Sequence, residues 1–99
     1  MKKIQLLSIL LFLSNVLYSQ TAEEYYNNGE AKNKLEDYRG AIVDYTKAIE
    51  LNPKEGEPYY NRGITKLQLS QKDSGCLDLS KAGELGHANA YEIIKKYCN

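Results

Sequence analysis

The chain repeats itself at a spacing of 34 residues, and that period restricts its possible folds more than any other feature. Glu23, Tyr25, Tyr26, Asn27 and Gly29 return as Glu57, Tyr59, Tyr60, Asn61 and Gly63. Lys32, Leu35, Asp44, Lys47, Ala48, Glu50 and Leu51 return as Lys66, Leu69, Asp78, Lys81, Ala82, Glu84 and Leu85, so twelve of the 34 positions are identical. Background composition would supply about two. Within the first unit, Thr21-Ala22-Glu23-Glu24 has the form of a capping box, opening a helix that runs to about Leu35. Ala41, Ile42, Tyr45, Ala48 and Ile49 recur at three- and four-residue spacing and give a second helix one apolar stripe. Asn52-Pro53 stops that helix, because the residue before a proline is driven out of the helical region. Each unit is therefore a helix hairpin. A hairpin cannot bury its stripe alone, so the two units must stack. Gly29 and Gly63 fall mid-helix, where glycine costs about 1 kcal/mol against alanine. Their recurrence at one phase implies close approach of the partner helix, at Ala41 and Ala48.

A 34-residue unit of this pattern resembles the tetratricopeptide repeat, a helix–turn–helix unit. Tyr25, Gly29, Ala41, Tyr45, Ala48 and Pro53 carry the resemblance in the first unit, and Tyr59, Gly63, Gly75, Leu79 and Ala82 in the second. The second unit departs at His87, where a proline is expected, and at Leu79, where an aromatic is usual. Ser70-Gln71-Lys72-Asp73 also replaces the acidic-aromatic turn Glu36-Asp37-Tyr38. The implied fold is an all-α helical-repeat array of two hairpins, residues 22–55 and 56–89, closed by a capping helix over about 88–98. Ala90, Tyr91, Ile93, Ile94 and Tyr97 make the apolar side of that last helix.

In this family the first helix of each unit lines a concave groove that binds a segment or helix of another protein. Carried over position by position, the resemblance puts Tyr26, Asn27, Glu30 and Asn33 on the groove from the first unit. Tyr60, Asn61, Ile64 and Leu67 are their second-unit equivalents. The tyrosines offer amphipathic rings, and the asparagines offer amides to a peptide backbone. The same residues also serve the family as scaffold. Lys32 and Lys66 are assigned to the outer helix face, which their stems would cover. Family members that bind chaperones use a basic clamp spread over three units. Tyr26 and Glu30 occupy two of those places here, so that activity is not expected.

Charge and motif content point the same way. Thirteen basic side chains balance thirteen acidic ones, which gives no field for nucleic acid. The chain holds no P-loop, G-x-G-x-x-G, G-x-S-x-G or C-x-x-C. His87 is the single histidine and reads as a solvated turn residue without a second metal ligand. Glu23-Glu24 and Glu36-Asp37 stand at helix starts, where the helix dipole favours acidic groups. No catalytic residue, metal or cofactor is expected. The expected function is non-enzymatic binding of an unidentified protein or peptide. The alternative is a self-associating module that stacks through its array ends as a weak homo-oligomer. Two units offer a surface at the low end of stable interfaces.

The first twenty residues do not read as part of the domain. Met1-Lys2-Lys3 is a basic start, Ile4 to Tyr18 is leucine-rich, and Ser19 is a small residue before a polar switch. That is the pattern of a secretory signal peptide over residues 1–19. The rival reading is an uncleaved membrane anchor, which needs closer to about 20 apolar residues without interior polar breaks. The resulting domain, residues 20–99, would be exported to a periplasmic or extracellular space, with no membrane insertion after cleavage. Without Lys2 and Lys3 the balance becomes mildly acidic. Cys76 and Cys98 read either as two buried thiols or as one disulfide, and export with an even count favours the disulfide. Such a bond would clamp the cap to the array. Cleavage is expected between Ser19 and Gln20 or within a residue or two. Intact-mass measurement of the exported protein tests this, and retention of residues 4–18 would overturn it.

Overall fold

A computed structural model describes residues 20–99, and the expected leader lies outside them. Five helices follow in order: α1 (Ala22–Lys34), α2 (Tyr38–Leu51), α3 (Gly56–Gln68), α4 (Lys72–Glu84) and α5 (Ala90–Tyr97). No strand occurs among the described residues. Each helix packs on its chain neighbour, so α1–α2 and α3–α4 are hairpins, joined by α2 against α3 and closed by α5 against α4. This is the all-α helical-repeat array that the period implies.

Local chemistry sets the boundaries. The Thr21 hydroxyl oxygen accepts from the Glu24 amide at 3.1 Å, and the Asp37 carboxylate accepts from Gly40 at the start of α2. Both hairpin turns use one device. The Asp37 amide donates to Lys32 O and the Glu36 amide to Asn33 O, with Glu36 left-handed at φ 62°. Thirty-four residues later, Gln71 donates to Lys66 O and Ser70 to Leu67 O, with Ser70 at φ 61°. These are Schellman turns without the usual glycine. A third, after α4, has Gly86 at φ 96° and sends the chain tightly into α5.

The core is small and lies in the hairpin seams. Ala41, Tyr45, Ala48, Leu79, Ala82 and Ala90 are buried, with Thr65 among the polar residues. The two units fill their seams differently. A Cβ on Gly29 would lie 2.7 Å from the Tyr45 ring, so in the first unit an aromatic occupies the glycine's space. Tyr45, rather than Ala41 or Ala48, is thus the group that requires Gly29. In the second unit Leu79 is smaller, and the helices meet backbone to backbone instead. A Cβ on Gly63 would lie 2.9 Å from Gly75 O, and a Cβ on Gly75 would lie 2.8 Å from Gly63 O. Lost side-chain volume is compensated by the glycine pair.

Buried charge fixes the same seams. Asp78 is only 8% exposed; it accepts from Arg62 through Nε and an Nη at 2.8 Å each and pairs with Lys66 Nζ at 2.8 Å. Arg62 also reaches Thr46 Oγ1 on α2 at 3.2 Å, tying the two units together. The first unit holds the thinner version, Lys32 to Asp44 at 2.8 Å, with Asn28 where the second has Arg62. The assignment of Lys32 and Lys66 to the outer helix face is therefore corrected. Both reach from the first helix of a unit to a buried carboxylate on the second, because a charge at that depth demands a partner.

The glycine contact yields a test with an inverted sign. Glycine to alanine inside a helix ordinarily stabilises by up to about 1 kcal/mol. Gly63→Ala should instead destabilise by about 1–3 kcal/mol, since a carbonyl in a helix cannot yield. Gly63→Leu should lose helicity outright. Thermal melts followed by circular dichroism check both, and a raised midpoint for Gly63→Ala would refute the close approach.

Candidate functional site

The starts of α1 and α3 and the end of α2 enclose a cavity of about 520 Å³, lined by Tyr26, Asn27, Glu23, Glu55, Glu57 and Asn52 among others. One helix further along, α3 and α5 enclose a second cavity of about 500 Å³. Its walls are Tyr60, Asn61, Ile64, Leu67 and Gln68 from α3, and Ile93 and Tyr97 from α5. The four second-unit groove residues expected from sequence therefore share one cavity. From the first unit, Tyr26 and Asn27 line the other cavity, while Glu30 and Asn33 line neither.

Several of these side chains are already engaged. Asn61 Nδ2 donates to the Tyr26 hydroxyl at 2.7 Å, bridging the two first helices and the two cavities. Asn33 Oδ1 accepts from the Thr65 hydroxyl at 3.2 Å, a second bridge between α1 and α3. The amides of Asn61 and Asn33, expected to face a peptide backbone, each spend one atom on bracing the array. The Tyr26 ring packs 5.8 Å from Tyr45 at 43°. Its phenol is pushed well above the usual range, first by burial, then by the hydrogen bond and charge of Glu30 and the charge of Glu57. Burial likewise pushes Tyr45 up to about 12, with Glu30 adding to it. The Asp44 hydrogen bond raises the Lys32 ammonium, and that of Asp78 raises the Arg62 guanidinium.

His87 is also corrected. It is no solvated turn residue: its ring stacks on Tyr60 at 4.0 Å and 13°, and its side chain is 14% exposed. Nε2 faces Glu57 Oε2 at 2.5 Å. The turn after α4 is thereby pinned to the first turns of α3, and Tyr60 presents one ring face to His87. Among the described residues no group of three or more histidine, cysteine or acidic side chains is placed to hold a metal. None of the described helices is long and apolar enough to cross a membrane.

Sequence reasoning missed Ile93 and Tyr97 as groove residues. From sequence they are part of the cap's apolar side. Their four-residue spacing was visible, but which helix they would face was not. The cap is held to α4 in two ways. The Tyr91 ring occupies the place a Cβ on Gly83 would take, 2.7 Å away. Cys76 and Cys98 lie at disulfide distance, with Cα atoms 5.9 Å apart.

The tetratricopeptide repeat model matches residues 22–55, and a second tetratricopeptide repeat model matches residues 44–76. No curated protein matches the chain.

Closing the 22-residue separation between Cys76 and Cys98 is worth on the order of 3 kcal/mol on the chain-entropy model. Reductant should therefore lower the thermal midpoint by at least several degrees, at roughly 4–8 °C per kcal/mol for a domain of this size. Superimposable melts with and without reductant, or two free thiols in the purified protein, would show that the cap is not stapled.

Proposed function

Because the chain belongs to the tetratricopeptide repeat family, whose repeats are protein-interaction modules, we propose that it binds one segment of a partner protein in the groove of α1, α3 and α5. One observation carries the reading: Tyr60, Asn61, Ile64 and Leu67 share a cavity whose far wall is the cap. An open cavity with aliphatic and aromatic walls and two amides suits an apolar side chain on a polar backbone. The bridges from Tyr26 to Asn61 and from Tyr60 to His87 hold the walls before any ligand arrives, which reduces the entropy lost on binding. The reading includes no catalytic step. It places the domain outside the cytoplasm, on the strength of the leader pattern and the paired cysteines.

Site-specific photo-crosslinking in the producing cell separates the faces. Probes at Asn27 and Gln68, both exposed in the cavity walls, should capture one partner. Probes at Val43 and Leu77, exposed at 60% and 72% and lining neither of these two cavities, should not. Ile64→Asp should leave helicity intact and weaken the partner at least tenfold, since a buried contact of this kind is worth more than about 1 kcal/mol. Capture only from Val43 and Leu77 would move the site to the outer face. Capture of the same chain alone would replace the reading with self-association.

A further inference from the structure

We propose that the groove selects a segment carrying a lysine or arginine about three or four residues from a large apolar side chain. The cation would sit over the cavity between α1 and α3, and the apolar side chain would fill the cavity between α3 and α5. The inference rests on the groove reading above and adds the chemistry of the occupant.

The two cavities differ in kind. The first is walled by Glu23, Glu55 and Glu57, with no lysine or arginine in its lining. Glu30 stands beside it, close enough for its charge to act on the Tyr26 hydroxyl. The second has Ile64, Leu67, Ile93 and the rings of Tyr60 and Tyr97, and no charged lining residue. The basic groups that might have neutralised the acids are committed elsewhere. Lys32, Arg62 and Lys66 turn into the hairpin seams to meet Asp44 and Asp78. The second unit therefore commits Arg62 and Lys66 to its seam, the half-exposed Lys32 pairs with Asp44 in the first, and carboxylates are left beside the cavity between α1 and α3.

The cavities also form one surface. Tyr26 lines the first, Asn61 lines the second, and their 2.7 Å hydrogen bond is the wall between them. Successive helix axes lie about 8–10 Å apart. An extended chain covers about 3.3 Å per residue, so one segment reaches both cavities with its anchors about three positions apart. A cation favours the acidic end, and an acidic residue there is repelled by Glu23 and Glu55, with Glu57 already facing His87. These are solvent-facing charges, so the discrimination is modest and sensitive to salt.

The test is an amide-resonance titration of the full chain with three blocked hexapeptides. The first is acetyl-Lys-Ala-Ala-Ala-Leu-Ala-amide, the second has Glu for Lys, and the third has Ala for Leu. The Lys/Leu peptide should shift Tyr26, Glu57, Ile64 and Ile93 together and bind about fivefold more tightly than the Glu/Leu peptide, a preference that added salt should reduce. Losing the leucine should abolish the shifts at Ile64 and Ile93. Glu23 and Glu55 are exposed and bear no ion pair among the described residues, so a Glu23→Gln, Glu55→Gln variant should keep the fold. It should also bring the two leucine peptides within about twofold of each other. Equal binding of both leucine peptides to the unaltered chain would overturn the charge selection while leaving the groove standing. Unchanged preference in the double variant would overturn the role of these carboxylates. Failure of every peptide to shift a groove resonance would overturn the proposed occupant, with crosslinking from Asn27 and Gln68 judging the groove separately.

Discussion

A carboxylate buried between two helices sets the terms for the rest of this molecule. Asp78 sits in the α3–α4 seam and is satisfied by Arg62 and Lys66, and Asp44 draws Lys32 into the α1–α2 seam. Stripping a buried carboxylate of its partners costs about 3–5 kcal/mol, a large part of the stability of a domain with so small a core. The pairing therefore fixes the axial position of each helix on its neighbour. It also decides where positive charge goes. With Lys32, Arg62 and Lys66 paired to the seam carboxylates, Glu23 and Glu55 are left without an ion pair among the described residues beside the cavity of α1 and α3, so the charge there follows from a packing constraint in the seams.

The groove is less a row of free side chains than a braced wall. Tyr26 is bonded to Asn61, Asn33 to Thr65, and Tyr60 is stacked on His87. Each bridge joins one first helix to the next or to the turn before the cap, so residues in the usual ligand positions also hold the superhelical arrangement. What remains for a partner is the space between these braces. With only two repeats, the cap supplies the third wall. Ile93 and Tyr97 complete a cavity that the second unit alone would leave open, so the cavity depends on the attachment of α5.

Much of this was legible from one dimension. The 34-residue period implied two hairpins, and the helix ends fall where capping and proline chemistry put them: α1 ends at Lys34 and α2 at Leu51. The cap and the facing of Cys76 and Cys98 also followed from the apolar spacing of the last segment. The Lys32–Asp44 and Lys66–Asp78 pairs were visible in principle, because both members recur among the identical positions while neighbouring surface residues drift.

The sequence by itself determined the elements, their order and which face of each helix is apolar, because periodicity and turn chemistry act within a few residues along the chain. Only the tertiary structure decided that Gly29 makes room for Tyr45, that Gly63 meets Gly75, that His87 stacks on Tyr60 and that Asn61 is spent on Tyr26. Those pairings depend on the rotation and sliding of one helix against another. Rotation and sliding are set jointly by side-chain volume, close glycine contacts and buried charge, and no local stretch of sequence contains all three.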